Sequence, residues 1–169
     1  FLDTALRRRF TFEEMMPDYA ALVVLLADLP VATAFDVPKL LETINRRLCL
    51  LYDRDHQIGH AYFADVTTLA DVRDAFRWRV IPLLQEYFYD DWFKLCLMLG
   101  CPVDRTTGQP LGGNPHPIVR CELLTARDLL GVSDTEVEDR CSFWVDPAFY
   151  AAEDAELAAF LTGIVAPTP

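Results

Sequence analysis

Apolar positions recur at helical spacing through the middle of the chain. Between 37 and 52 they fall at Leu40, Leu41, Ile44, Leu48 and Leu51, the spacing of one helix face, with Glu42, Asn45, Arg46 and Arg47 on the other side. Asp36 is the expected N-cap, and Pro38 sits in the first turn. Residues 19–29 predict a short apolar helix, introduced by Pro17 and Asp18 and closed by Pro30. A longer helix starts at Thr68 or Asp71 and runs through Val72, Phe76, Val80, Leu83, Leu84 and Tyr87. Pro82 removes one backbone donor from it and should bend it. Residues 91–99 predict a further helix carrying Trp92, Phe93, Leu95 and Leu99, ended by Gly100. Residues 53–63 form a polar connector that turns apolar at its end, so this part reads as a compact bundle of about four helices.

The two ends follow other patterns. Residues 3–9 read as the last turns of a helix, and residues 10–15 alternate enough for a strand. Residues 101–118 are rich in Pro, Gly, Thr and Asn and predict an exposed loop or linker. Beyond it come a strand over 118–124, a helical turn over 125–130 and a second strand over 141–145. A terminal helix lies within 147–165, strongest at 154–160. No internal repeat is present.

Composition narrows the class. A chain of 169 residues, 52% hydrophobic and 12% aromatic, has enough apolar matter for a real core and is not a disordered segment. Its longest apolar stretch, residues 20–29, falls well short of the roughly 20 residues that cross a bilayer. No secretory leader is visible, and the absence of an initiator methionine at Phe1 reads as the C-terminal portion of a larger protein. The net charge is -11. Residues 1–62 hold seven Lys/Arg against nine Asp/Glu, and residues 63–169 hold eight against seventeen. Such a surface repels a phosphate backbone, so nucleic acid is a poor partner for it. Basic charge is local, at Arg7–Arg8–Arg9 and at Arg46–Arg47, which favours a point contact with a phosphate. Five cysteines without C-x-x-C spacing give neither a zinc finger nor a secreted disulfide framework, and Cys49 and Cys96 fall inside apolar helical patterns as buried thiols. The simplest setting is a reduced, cytoplasmic one.

Candidate chemistry concentrates in two places. The arginine triplet suits phosphate oxygens, and an arginine that reaches a neighbouring subunit's nucleotide is a recurring device of nucleotide hydrolysis. The alternative is a solvated helix end, with Arg7 and Arg8 favouring the C-terminal dipole and Arg9 pairing with Asp3 or Glu13. In the connector, His56 and His60 lie four apart, yet the glutamate of H-E-x-x-H is missing and Gly59 disfavours a helix, so no metal is expected. A loop carrying Arg54, His56, Gly59 and His60 could approach a phosphate or a base closely, or could fold against the bundle with one histidine bonded to backbone. The phosphate-binding, dinucleotide and nucleophile-elbow motifs are all absent, so this chain by itself should not turn over a substrate.

Several stretches together resemble one family. Asp3-Thr4-Ala5-Leu6-Arg7-Arg8-Arg9-Phe10, followed by Phe12-Glu13-Glu14-Met15-Met16-Pro17-Asp18, resembles the segment after the sensor 1 region of McrB-type AAA+ proteins, the GTP-hydrolysing motors of modification-dependent restriction systems. Leu41-Glu42-Thr43-Ile44-Asn45-Arg46-Arg47 agrees in order and spacing, as does Asp53-Arg54-Asp55-His56-Gln57-Ile58-Gly59-His60-Ala61-Tyr62-Phe63. So does Val80-Ile81-Pro82-Leu83-Leu84-Gln85-Glu86-Tyr87-Phe88-Tyr89-Asp90-Asp91-Trp92. The likeness covers residues 2 to 100; beyond residue 101 only a family-like tail is claimed.

The resemblance implies a mainly α fold, the AAA+ C-terminal helical lid preceded by the last helix and strand of the α/β AAA+ core. In domain terms, residues 1–17 end the core, 18–100 form the lid, and 101–169 are a C-terminal extension of mixed helix and strand. By similarity, Arg8 and Arg9 are finger residues reaching the nucleotide of the next subunit in a hexameric ring, oriented by Asp3. Arg54, His56, Gly59 and His60 would lie in the lid near their own subunit's nucleotide, GTP or ATP with Mg2+. The partners implied are neighbouring AAA+ subunits and an McrC-like nuclease, with DNA contacted by other domains. Two alternatives remain: a non-enzymatic helical interaction module, and the lid of an ATP-using AAA+ defence or remodelling protein.

Overall fold

The computed structural model describes residues 9–166 except 12, 90, 113 and 132–136. The predicted helix over 3–9, with Asp3 and Arg8, therefore lies outside the described residues apart from Arg9, which is exposed in a turn. The described residues of the expected 10–15 strand form no ladder. A strand needs a neighbour for its N–H and C=O groups, and the sheet among the described residues lies elsewhere in the chain.

Helix α1 (Tyr19–Leu26) is capped by Asp18, whose carboxylate accepts from the Ala21 N–H at 2.9 Å. Pro30 begins a helix instead of only closing one: α2 (Pro30–Ala34) carries it in the first turn, where its missing N–H costs nothing. Helix α3 (Val37–Leu51) is capped by Asp36 through the Lys39 N–H and buries Leu40, Leu41, Ile44 and Leu48 completely. Two expectations fail on this helix. Asn45 is fully buried rather than on the polar side, and Cys49, one turn later, is exposed because nothing covers the helix there.

Thr68 and Asp71 form a reciprocal capping box ahead of α4 (Leu69–Ala75). The chain then runs through a π-helical stretch (Phe76–Val80) into α5 (Ile81–Tyr87). The Ile81 N–H reaches back to the Phe76 carbonyl, so the backbone changes its hydrogen-bond ladder just before Pro82, which cannot donate to it. Helix α6 (Trp92–Met98) is capped by Asp91 and ends in a left-handed turn at Gly100, φ +71°.

The segment expected as an exposed linker is partly core. Cys101, Pro102, Gly108 and Ile118 are buried, and Val103 bridges to Pro110. It leads to an antiparallel pair, β1 (Val119–Leu124) and β2 (Arg140–Val145), with Cys121 opposite Phe143 and Leu123 opposite Cys141. A short helix, α7 (Ala126–Leu130), follows β1. The terminal helix is divided into α8 (Pro147–Ala151) and α9 (Asp154–Val165).

One hydrophobic core spans the two halves. Leu40, Ile44, Val72 and Phe76 share it with Ile118, Phe149, Phe160 and Ile164. Three contacts fasten α8 and α9 to the preceding helices. Arg73 donates to the Ala152 carbonyl at the break between α8 and α9. The half-buried Arg47 donates to the Met98 carbonyl at 2.8 Å and the Ala166 carbonyl at 3.5 Å, serving the C-terminal ends of α6 and α9 with one guanidinium. Burial holds this guanidinium below its ordinary pKa. Arg47 is thus engaged inside the protein and is not a free phosphate contact.

The third contact is steric. A Cβ on Gly100 would collide with the Gly163 carbonyl, and one on Gly163 would lie 2.5 Å from the Asn114 amide nitrogen. Asn114 in turn donates to the Gly100 carbonyl at 3.0 Å. Two glycines therefore let α9 cross the end of α6 at backbone distance.

Candidate functional site

The loop following α3 holds every described member of the candidate nucleotide-facing set. Its first turn is made by Asp53, whose Oδ1 accepts from the N–H groups of Asp55 at 2.8 Å and His56 at 3.0 Å. The same oxygen lies 2.7 Å from His56 Nδ1. That hydrogen bond, with the backbone ones, holds the Asp53 carboxyl below its ordinary value although burial opposes it. His56 also stands edge-on to Tyr52 and Tyr87, with ring centroids at 4.4 and 4.9 Å, and those two tyrosines stack on each other. His56 is therefore locked between an acid and an aromatic pair.

The far end of the loop is held differently. Ile58 is buried, and both of its backbone polar groups bond to Asn45. The Asn45 amide also donates to the Tyr19 hydroxyl at 3.1 Å, joining α1, α3 and the loop at one side chain. A one-turn 3-10 helix (His60–Phe63) then buries Phe63.

His60 accepts the Asp18 N–H at Nδ1, 3.1 Å away. The Nδ1 lone pair is thereby occupied, so the neutral ring carries its proton on Nε2 and presents a donor there. Arg54 pairs with Glu14 at 2.8 Å on the surface. A Cβ on Gly59 would meet nothing within 4 Å, so open space adjoins the backbone at that point.

The four loop residues thus have separate partners: Glu14 for Arg54, Asp53 and two tyrosines for His56, Asp18 for His60, and open space for Gly59. Two of these contacts, Arg54–Glu14 and His60–Asp18, fasten the loop to residues 13–18, the segment leading from Arg9 into α1. Arg54 and His60 each keep N–H groups that could donate to an anion, although the Arg54 guanidinium is paired with Glu14. Among the described residues, no three or more His, Cys, Asp or Glu side chains are grouped to hold a metal ion, and no helix is long and apolar enough to cross a membrane.

Sequence reasoning missed Asn45. Its signal was present, because 41, 45 and 48 share the spacing of Leu41, Ile44 and Leu48, which places a polar residue on the apolar stripe. Such a residue, if buried, has to find partners.

Residues 36–96 match a family model described as McrB, alpha-helical lid domain. The match begins at the N-cap of α3, includes the whole loop, and ends within α6. No curated protein matches the chain.

Proposed function

We propose that the chain, whose residues 36–96 match the alpha-helical lid domain of McrB, serves as the lid of an NTP-hydrolysing ring motor, GTP being the preferred nucleotide. In this reading Arg8 and Arg9, oriented by Asp3, reach the nucleotide of the neighbouring subunit. Arg54, Gly59 and His60 face the nucleotide of their own subunit, and an McrC-like nuclease is the partner that the motor drives. Mg-nucleotide supplies the phosphoryl group to be transferred, and the chain's residues bind and orient around it.

The observation that carries the reading is the double attachment of the lid loop to residues 13–18, through His60 to the Asp18 N–H and Arg54 to Glu14. In this reading a loop beside one nucleotide also contacts the segment that leads back to Arg9. Movement of the lid around its own nucleotide would shift the arginines offered to the next subunit. His56 contributes by keeping the loop in shape, through Asp53 and the Tyr52–Tyr87 pair.

The test uses the longer protein in which this lid follows a nucleotide-binding core. Arg8→Ala and Arg9→Ala should each abolish GTP turnover while leaving GTP binding within about twofold of the parent, since a finger acts on the transition state in trans. Unchanged turnover in both variants would remove the finger assignment. Faster hydrolysis of ATP than GTP would keep the lid and overturn the nucleotide preference.

A further inference from the structure

Four of the five cysteines gather where the 101–118 segment folds over β1. Cys96 lies near the end of α6 and Cys101 just past Gly100. The Cys101 N–H donates to the Cys96 carbonyl at 2.9 Å and the Gly100 N–H to the Leu97 carbonyl at 3.4 Å. This is the paired hydrogen-bond pattern of a Schellman helix end, which brings the two flanking side chains into contact across the turn. Here those side chains are both thiols, and both are buried. Cys121 and Cys141 form a second pair on the sheet, beside the turn at Gly108: a Cβ on that glycine would lie 3.1 Å from one sulfur and 3.4 Å from the other.

A cavity of about 110 Å³ opens between this segment and β1, and Cys101 lines it together with Gly108, Pro110, Asn114, Val119 and Cys121. Its size admits a small neutral oxidant of the hydroperoxide class, since a water molecule occupies about 30 Å³ of liquid. Cys96 is not among the lining residues. Of the two cysteines at the helix end, Cys101 alone lines the cavity.

We propose that Cys96 and Cys101 form a peroxide-responsive dithiol, in which Cys101 takes up the oxygen and Cys96 closes the disulfide. The electrostatics agree with these roles. The hydrogen bond from the Cys96 thiol holds Cys101 below the ordinary thiol value; burial opposes this, and the Val119 N–H, the Arg47 guanidinium and the Ile118 N–H add to the lowering. The same hydrogen bond, together with burial, pushes Cys96 up. Cys101, the one of the two that lines the cavity, is the thiol that meets the peroxide and attacks as its thiolate.

The Cys101 thiolate attacks one oxygen of hydrogen peroxide; an S–O bond forms, the O–O bond breaks and hydroxide leaves. The Cys96 sulfur then attacks the Cys101 sulfenic acid, forming the S–S bond and breaking the S–O bond. The Cys96 proton and the departing hydroxide leave as water. The thiol pair loses two electrons and the peroxide gains both.

The test exposes the folded chain to hydrogen peroxide, blocks remaining thiols with N-ethylmaleimide, and reads each cysteine by peptide mass spectrometry. We expect the peptide containing Cys96 and Cys101 to lose two hydrogens and take up no maleimide while the exposed Cys49 is still free. In Cys96→Ser, dimedone should trap Cys101 as a sulfenic acid; in Cys101→Ser, Cys96 should keep its thiol under the same exposure. Maleimide on both Cys96 and Cys101 after Cys49 has been consumed would overturn the assignment. So would a disulfide joining Cys121 to Cys141 in its place, or unaltered oxidation of Cys96 in Cys101→Ser. The first readout uses the unsubstituted chain, so it decides the matter even where a serine variant fails to fold.

Discussion

Asn45 holds Ile58 by both backbone polar groups: its Oδ1 accepts from the Ile58 N–H at 2.7 Å and its Nδ2 donates to the Ile58 carbonyl at 2.9 Å. One side chain on α3 thus imitates the pairing that a neighbouring strand would give. Replacing it with alanine would leave two buried backbone groups without partners, at a cost of about 2–4 kcal/mol. Asn45→Asp keeps the acceptor but sets a buried carboxylate oxygen against the Ile58 carbonyl, so at neutral pH it should be no more stable than Asn45→Ala. Urea unfolding reads both. An alanine variant as stable as the parent would show that the loop finds other partners.

His60 presents a narrower case. Its Nδ1 is the acceptor for the Asp18 N–H, while the Asp18 carboxylate independently caps α1. His60→Ala should therefore speed amide exchange at Asp18 and leave exchange at Ala21 nearly unchanged, with a global loss of about 1 kcal/mol. Equal acceleration at both amides would mean that the loop supports α1 as a whole.

The crossing of α6 and α9 is limited by two missing side chains. Gly100→Ala adds a left-handed strain of about 1–2 kcal/mol to a collision with backbone, which cannot rotate away. Gly163→Ala meets the Asn114 side chain, itself held by the Gly100 carbonyl and by the His116 N–H. It should cost about 1–3 kcal/mol through overpacking. Thermal unfolding should rank Gly100→Ala below Gly163→Ala, and both below the parent.

Arg47 serves two helix ends from one position. Arg47→Met keeps the length of the side chain and removes every donor, and should cost about 1–3 kcal/mol because the charged donors to the Met98 and Ala166 carbonyls are lost. Arg47→Lys lacks the fork that reaches both carbonyls, and should retain part of the stability. A lysine variant equal to the parent would show that one of the two contacts contributes nothing.

The capping box supplies a dependence on pH. Asp71 Oδ2 accepts from the Thr67 hydroxyl and N–H and from the Thr68 N–H and hydroxyl, which lower its pKa from 3.8 to about 2 although burial opposes them. A carboxyl depressed on folding contributes its full stability above the unfolded value, and loses it as pH falls through the folded one. The stability gap between the parent and Asp71→Asn should be constant above pH 4 and close between 3.8 and about 2. A gap that persists at pH 2 would contradict the role of the ionised carboxylate.

Local signals in the sequence were read well where cap and stripe agreed. Asp36 with Leu40, Leu41, Ile44 and Leu48 defines α3 without help from distant residues, as Thr68 and Asp71 define the start of α4. Errors came where distant chain decided the outcome. Asn45 is buried because Ile58 lies over it, and the 101–118 segment is partly buried because Gly100 and Gly163 let α9 close on it. Pro30 reads in the sequence as a stop, yet its position suits a first turn equally. At the candidate site the chemistry of Arg54, His56 and His60 was legible, but their partners Glu14 and Asp18 were not. Arg54 and Glu14 are 40 positions apart, and neither residue belongs to a periodic pattern that would announce the pair.

The π-helical stretch ahead of Pro82 has a geometric consequence for everything after it. Each residue of an α-helix turns the chain by about 100°, so one added residue in a turn rotates all that follows by that amount. Val72, Phe76, Val80, Leu84 and Phe88 are buried at four-residue intervals across the stretch, and Ile81 is buried beside Val80. The stretch thus keeps the residues on either side of it on one apolar face. Removing one residue from 77–79 would turn Leu84 and Phe88 toward water while leaving Leu69 and Val72 in place. The fold therefore depends on counting residues there, and tolerates their chemical variety.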